Sequence, residues 1–250
     1  MKKRTLFNKI KKEELKAGDH IYTWRLGYLY AHHGIYVDAG NVIHFTSTAG
    51  REIGTGTDAD RFIFSSSSSL HSKSQCPTCG NRPRNNGVIS SCLECFLSGG
   101  KLYRFKYGVS IRLFLAQVRG TCTTAPSDQP EDVLHRAEFL LSNGFGDYKL
   151  FKNNCEDFAI YCKTGYVILG KAVGRSGQVG GVVASVAALS CVCAYSVMSP
   201  SLAPIGLGTY CISRYLADIG VRKDAVKIAV QKIVSGDDLH YSKWLLETKF

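Results

Sequence analysis

Asn154-Cys155-Glu156-Asp157-Phe158-Ala159-Ile160-Tyr161-Cys162 is the stretch on which the reading of this chain turns. Asparagine caps helix starts well, because its side-chain oxygen can accept from the unpaired amides of the first turn. Cys155 then falls at the first helical position. The open N–H groups and the positive end of the helix dipole there favour thiolate over thiol. Glu156 and Asp157 work against this by adding negative charge, and their side chains are expected to point away from the sulfur. Gly165 suits the end of the helix. Most cysteines buried at a helix start are inert packing, so a reactive Cys155 requires a base.

Working outward, Tyr148-Lys149-Leu150-Phe151 reads as a short strand. Before it, Val133, Leu134, Ala137, Leu140 and Leu141 fall at helical spacing. Pro130 suits the first turn of that helix, Glu131 and Asp132 suit its dipole, and Gly144 suits its end. Leu102-Tyr103-Arg104-Phe105 reads as a strand. Nearer the N-terminus, residues 20–24, 34–37 and 42–45 have strand composition. The turn Asp38-Ala39-Gly40-Asn41 makes a hairpin of the last two. Three histidines lie in this region. Residues 32 and 33 of one strand face opposite sides, so only one can face Cys155. His44, on the returning strand, can lie beside His32. These residues offer Cys155 as nucleophile, His32 as base and His44 as the group that orients it.

The segment 64–99 differs from its surroundings. It opens with the serine run 65–69, then carries Cys76-Pro77-Thr78-Cys79-Gly80 and Cys92-Leu93-Glu94-Cys95-Phe96, and it is expected to be an insert rather than part of the core. C-x-x-C lets two sulfurs reach one ion from a tight turn, and four thiolates suit tetrahedral zinc with no open position. Structural zinc on Cys76, Cys79, Cys92 and Cys95 is therefore expected. A redox dithiol and an iron–sulfur site are the alternatives.

Three stretches together resemble the motifs of the lecithin:retinol acyltransferase family: Ala31-His32-His33-Gly34-Ile35-Tyr36-Val37, Val42-Ile43-His44 and Asn154-Cys155-Glu156-Asp157-Phe158. His135-Arg136-Ala137-Glu138-Phe139-Leu140 and Tyr148-Lys149-Leu150 are similar to the helix and strand that precede the family's cysteine. The likeness covers residues 13–62 and 102–170. It implies an α+β fold: a circularly permuted papain-like (NlpC/P60) core with an antiparallel sheet and a nucleophile helix. It also implies catalytic roles for Cys155, His32 and His44, with the acyl group of a lipid ester held as a thioester on the cysteine and passed to an alcohol, an amine or water. His33 occupies a position often aromatic in the family and is not counted as catalytic. Asp157 stands where the family often has histidine. The zinc-knuckle-like insert is outside the family's minimal pattern and resembles one carried by plant-type members.

The chain divides into a basic N-terminal segment (1–12), a catalytic domain (13–170) interrupted by the four-cysteine insert (64–99), and a hydrophobic helical C-terminal region (171–250). No charged residue occurs from Ser176 to Ser213, and Val179 to Met198 is a run of small and apolar residues. Twenty apolar residues are long enough for a bilayer core of about 30 Å, and the alternatives are a helical hairpin covering the core or an amphipathic helix on another partner. The formal net charge of +11 favours anionic partners, here a membrane surface rather than nucleic acid. The N-terminus has no apolar run behind its lysines, so no secretory signal is expected, and ten cysteines without one point to a reducing, intracellular setting, cytoplasmic or membrane-associated. The function expected is a thiol-dependent acyltransferase or lipid acyl hydrolase. A papain-like peptidase or amidase and a non-enzymatic membrane adaptor are the competing readings.

Overall fold

The structure, a computed structural model, describes residues 8–25, 30–46, 76–80, 87–146, 153–168 and 203–235. Strands β1 (His20–Arg25) and β3 (Asn41–Thr46) form where the β-branched and aromatic runs predict them, and β2 (Tyr30–Tyr36) begins four residues before its predicted run of 34–37. Strand β4 is Gly87–Cys92 and β5 is Tyr103–Arg104. Together they make one sheet in the order β4-β3-β2-β1-β5, with antiparallel neighbours throughout. Gly40, at φ +85°, turns the chain between β2 and β3, and Gly34 stands opposite His44.

The sheet has two covered faces. Helix α1 (Leu93–Leu97) follows β4 directly and covers one of them, where Leu93, Phe96 and Leu97 pack with Ile21, Val42 and Leu102. Arg25 donates to the carbonyls of Leu97 and Phe96, each at 2.6 Å, and so holds the end of this short helix. Helix α2 (Ile111–Ala116) begins at the cap Ser110. Helices α3 (Pro130–Asn143) and α4 (Cys155–Thr164) cover the other face. Val133, Ala137 and Leu140 of α3 and Phe158, Ala159, Tyr161 and Cys162 of α4 pack there on Ile35, Ile43 and Phe45. Both helices start and stop where their sequences place the signals: Pro130 in the first turn, Gly144 and Gly165 just past the ends.

Strand β6 (Tyr166–Ile168) pairs with β7 (Ala225–Lys227) in a small second sheet, and helices α5 (Ala203–Leu216) and α6 (Val230–Ser235) complete the described chain. Asp218, just after α5, accepts from the hydroxyls of Thr123 and Thr124 and from the Thr124 amide, which ties the C-terminal region to the core.

The α+β class with an antiparallel sheet and a helix starting at Cys155 is observed. The segment 64–99, however, is not wholly an insert: Gly87–Cys92 is a full edge strand registered along β3, from Asn41 opposite Cys92 to Thr46 opposite Gly87, and α1 is part of the core. The reason is that β3 would otherwise be an open sheet edge, and Val88, Leu93 and Phe96 supply apolar side chains to cover it. The expected strand 148–151 and the uncharged run 179–198 lie outside the described residues. No helix among the described residues is long and apolar enough to cross a membrane.

Candidate active site and metal centre

The start of α4 is built by a capping box. The Asn154 side chain accepts from the Asp157 amide at 2.9 Å, and the Asp157 carboxylate accepts from the Asn154 amide at 3.1 Å. Two of the amides that an isolated helix end leaves open are thereby closed. Cys155 is the first helical residue, 6 % exposed, and its Sγ lies 3.8 Å from the carbonyl oxygen of Ala31. The thiol thus meets β2 at the step between Ala31 and His32.

The acidic neighbours of the thiol are both accounted for. Asp157 is consumed in the cap. Glu156 turns toward the Arg119-Gly120 turn: its Oε1 sits where a side chain at Gly120 would come within 3.7 Å. Burial pushes its pKa up to about 7, the Arg119 guanidinium opposes that rise, and the adjacent Asp157 carboxylate adds to it. The sequence missed this partner, because nothing in the local pattern links residue 156 to residue 119.

His32 and His44 come together as their strands' two-residue period requires. Gly34 pairs with His44, so His32, two residues earlier, lies diagonally across from His44 on the same face. His32 Nε2 and His44 Nδ1 are 2.9 Å apart, with the rings edge to face. Phe96 of α1 lies against both, with ring centroids 5.2 and 5.4 Å away. Both imidazoles are buried. Burial, and then the Arg25 guanidinium, lower the His32 pKa to about 3, so the ring is neutral at physiological pH.

The chain of contacts continues past His44. Its Nε2 is 2.9 Å from Ser91 Oγ on β4, and that hydroxyl lies 3.4 Å from the Cys92 carbonyl. Ser91 is 3 % exposed. It went unread in the sequence because its segment was set apart from the core. The alternate residue of β2, His33, forms a second pair with His20: Nδ1 to Nε2 at 2.9 Å, with His20 Nδ1 at 2.7 Å from the Tyr107 hydroxyl. His20 stacks on Phe105 and His33 on Tyr22, so this pair sits in an aromatic part of the core.

The two C-x-x-C pairs converge. Cys76 and Cys79 occupy a tight turn closed by the Gly80 amide donating to the Cys76 carbonyl, with Gly80 at φ +68°. Cys92 ends β4 and Cys95 lies in α1. All four sulfurs lie within 4.8 Å of one another, with Cys76 to Cys92 at 4.0 Å and Cys79 to Cys95 at 3.7 Å. A tetrahedral zinc with bonds of about 2.3 Å requires sulfur–sulfur edges of about 3.8 Å, so the donor set fits such an ion. The amides of Cys79 and Thr78 lower the Cys76 thiol to about 6, whereas burial raises Cys92 and Cys95. Four close cysteines of this kind can hold a metal ion.

The profile of the lecithin retinol acyltransferase family matches residues 13–168. The chain is also 49% identical over 234 residues to the protein named LEAD-SENSITIVE 1 of Arabidopsis thaliana, an alignment that covers 91% of this chain and 89% of that one.

Proposed function

The chain belongs to the lecithin retinol acyltransferase family, and on that premise we propose that it is a thiol-dependent acyltransferase or lipid acyl hydrolase working through an acyl-cysteine thioester. The family is one of acyltransferase and phospholipase type. The observation that carries the reading is the Cys155 thiol at a capped helix start, against the strand residue that adjoins the His32–His44 pair.

In the proposed reaction the Cys155 thiol gives its proton to His32 as sulfur attacks the ester carbonyl carbon. The tetrahedral oxyanion forms beside the first amides of α4, where the helix dipole favours negative charge. Collapse breaks the ester C–O bond, and the departing alcohol takes the proton from His32. An alcohol, an amine or water then loses a proton to His32, attacks the thioester carbonyl, and returns the sulfur to the thiol. His32, neutral at rest, starts each half-reaction as a base. His44 holds its ring in place. A phospholipid-type ester is the proposed donor, and an anionic membrane surface the proposed meeting place. The net charge of +11 and the exposed Leu207, Ile212 and Leu216 on α5 support that placement. Zinc is the proposed occupant of the four-cysteine site, in a structural role.

The test is incubation of the full chain with a short-chain phospholipid, followed by intact-mass measurement. A mass gain equal to the acyl group, absent in Cys155→Ala, is the expected result. An equal gain in Cys155→Ala would remove the thioester from the reading. Turnover of a peptide substrate without any acyl adduct would move it to the peptidase alternative, and full complementation by His32→Ala in cells would move it to the adaptor.

A further inference from the structure

Ser91 Oγ lies 2.9 Å from His44 Nε2 and 3.4 Å from the Cys92 carbonyl. A carbonyl oxygen only accepts. If the hydroxyl proton points at Cys92, both contacts are hydrogen bonds, with His44 Nε2–H donating to Ser91 Oγ. If it points at His44, the hydroxyl and carbonyl oxygens are left facing each other with no proton between them. The first arrangement satisfies every group, and in a buried network that difference is large.

The choice propagates. A neutral imidazole carries one N–H. With its proton on Nε2, His44 offers a bare Nδ1, and the 2.9 Å contact with His32 then requires His32 Nε2–H as donor. His32 is neutral, so its Nδ1 is left as the lone-pair nitrogen. That is the tautomer a base needs on the nitrogen not tied to His44.

We infer that Ser91 is a positioning residue: its hydroxyl, oriented by the Cys92 carbonyl, selects the tautomers of His44 and His32 and so leaves His32 Nδ1 as the proton acceptor. This deepens the acyl-transfer reading and rests on it for its catalytic meaning. It also places one end of the relay on β4 beside Cys92, so the strand that carries one of the four cysteines of the metal-capable cluster also carries the residue that sets the base.

The experiment is nitrogen-15 NMR of the full chain labelled at histidine, without substrate, for the wild type, Ser91→Ala and Ser91→Thr, with assignments from single histidine substitutions. The expected result is protonated Nε2 and bare Nδ1 at both His32 and His44 in the wild type and in Ser91→Thr. In Ser91→Ala, His44 should lose that single tautomer, and kcat for acyl transfer should fall about 10- to 100-fold with KM little changed, as for other outer partners that orient a functional histidine. A wild type with the proton on His44 Nδ1 overturns the inference, as does Ser91→Ala with both tautomers unchanged. The wild-type spectrum suffices for the first of these even if Ser91→Ala does not fold. Wild-type tautomers as expected in a protein that forms no acyl adduct would overturn the proposed reaction and leave the role of Ser91 standing.

Discussion

Asp157 occupies a position where the resembled family often has histidine, and the helix start explains what it does here. Its carboxylate accepts from the Asn154 amide while its own amide donates to Asn154 Oδ1. The residue is 1 % exposed, so no water is at hand to replace those bonds. Asp157→Ala is expected to destabilise the protein by about 1–2 kcal/mol, as loss of a helix cap does. Urea unfolding of the variant reads this directly, and an unchanged midpoint would count against the capping role. Cys155, the cap and the stop at Gly165 were all legible in the sequence, because each depends on contacts within four residues. Glu156 was less legible: its charge led to the expectation that it turns from the sulfur, but its place against the Arg119-Gly120 turn came only with the fold.

At the scale of elements, the β2–β3 hairpin sets the histidine pair and β4 completes it. Gly34 has no room for a side chain: an added Cβ would lie 2.8 Å from Val42, 2.9 Å from the Phe96 ring and 3.1 Å from His44 Cβ. Gly34→Ala therefore forces Phe96 and His44 to move, at a cost of about 1–3 kcal/mol for overpacking. A thermal melt within a degree of wild type would refute this. The four-cysteine site joins the 76–80 turn to β4 and α1, so the metal is expected to hold those pieces together. Protein purified without chelator should carry about one zinc per chain by elemental analysis, as a single tetrahedral four-cysteine site implies. Stripping it should lower the melting temperature. Metal-free protein with an unaltered melt would dismiss a structural ion. The cysteine spacing announced this site, but not that Gly87–Cys92 would be a strand of the main sheet. A strand that closes a distant edge is recognised by its partner, β3, and not by its own neighbours.

For the molecule as a whole, burial of neutral histidines couples stability to pH. His32 and His33 are lowered from 6.5 to about 3, chiefly by desolvation, and His20 is lowered by the same cause. A histidine whose folded pKa is depressed binds fewer protons in the native state, so its contribution is intact above pH 6.5 and is lost as pH falls toward 3. Each such group can take away up to ~1.4 kcal/mol per pH unit in that window. Glu156 acts in the opposite sense: its folded pKa is raised from 4.5 to about 7, so the native state is favoured by keeping that proton and loses this as pH rises from 4.5 through 7. Three groups oppose one, so stability should fall from pH 7 to pH 5. Guanidinium unfolding at the two pH values checks it, and a higher midpoint at pH 5 would refute the balance.

Local interactions alone set half of this protein. Helix starts and stops, the two-residue period that puts His32 and His44 on one face, and the paired cysteines follow from interactions within a few residues or across one tight turn. Family membership was legible for the same reason, since the motifs are short and ordered. Which residues from distant segments meet at the candidate site depends on how the chain packs. Ser91 meets His44 across 47 positions of sequence, and the Cys155 thiol meets the Ala31 carbonyl across 124. Such contacts are set by which strand closes the sheet edge and where α4 docks on β2, and both are decided by burial of apolar surface over the whole core rather than by any local pattern.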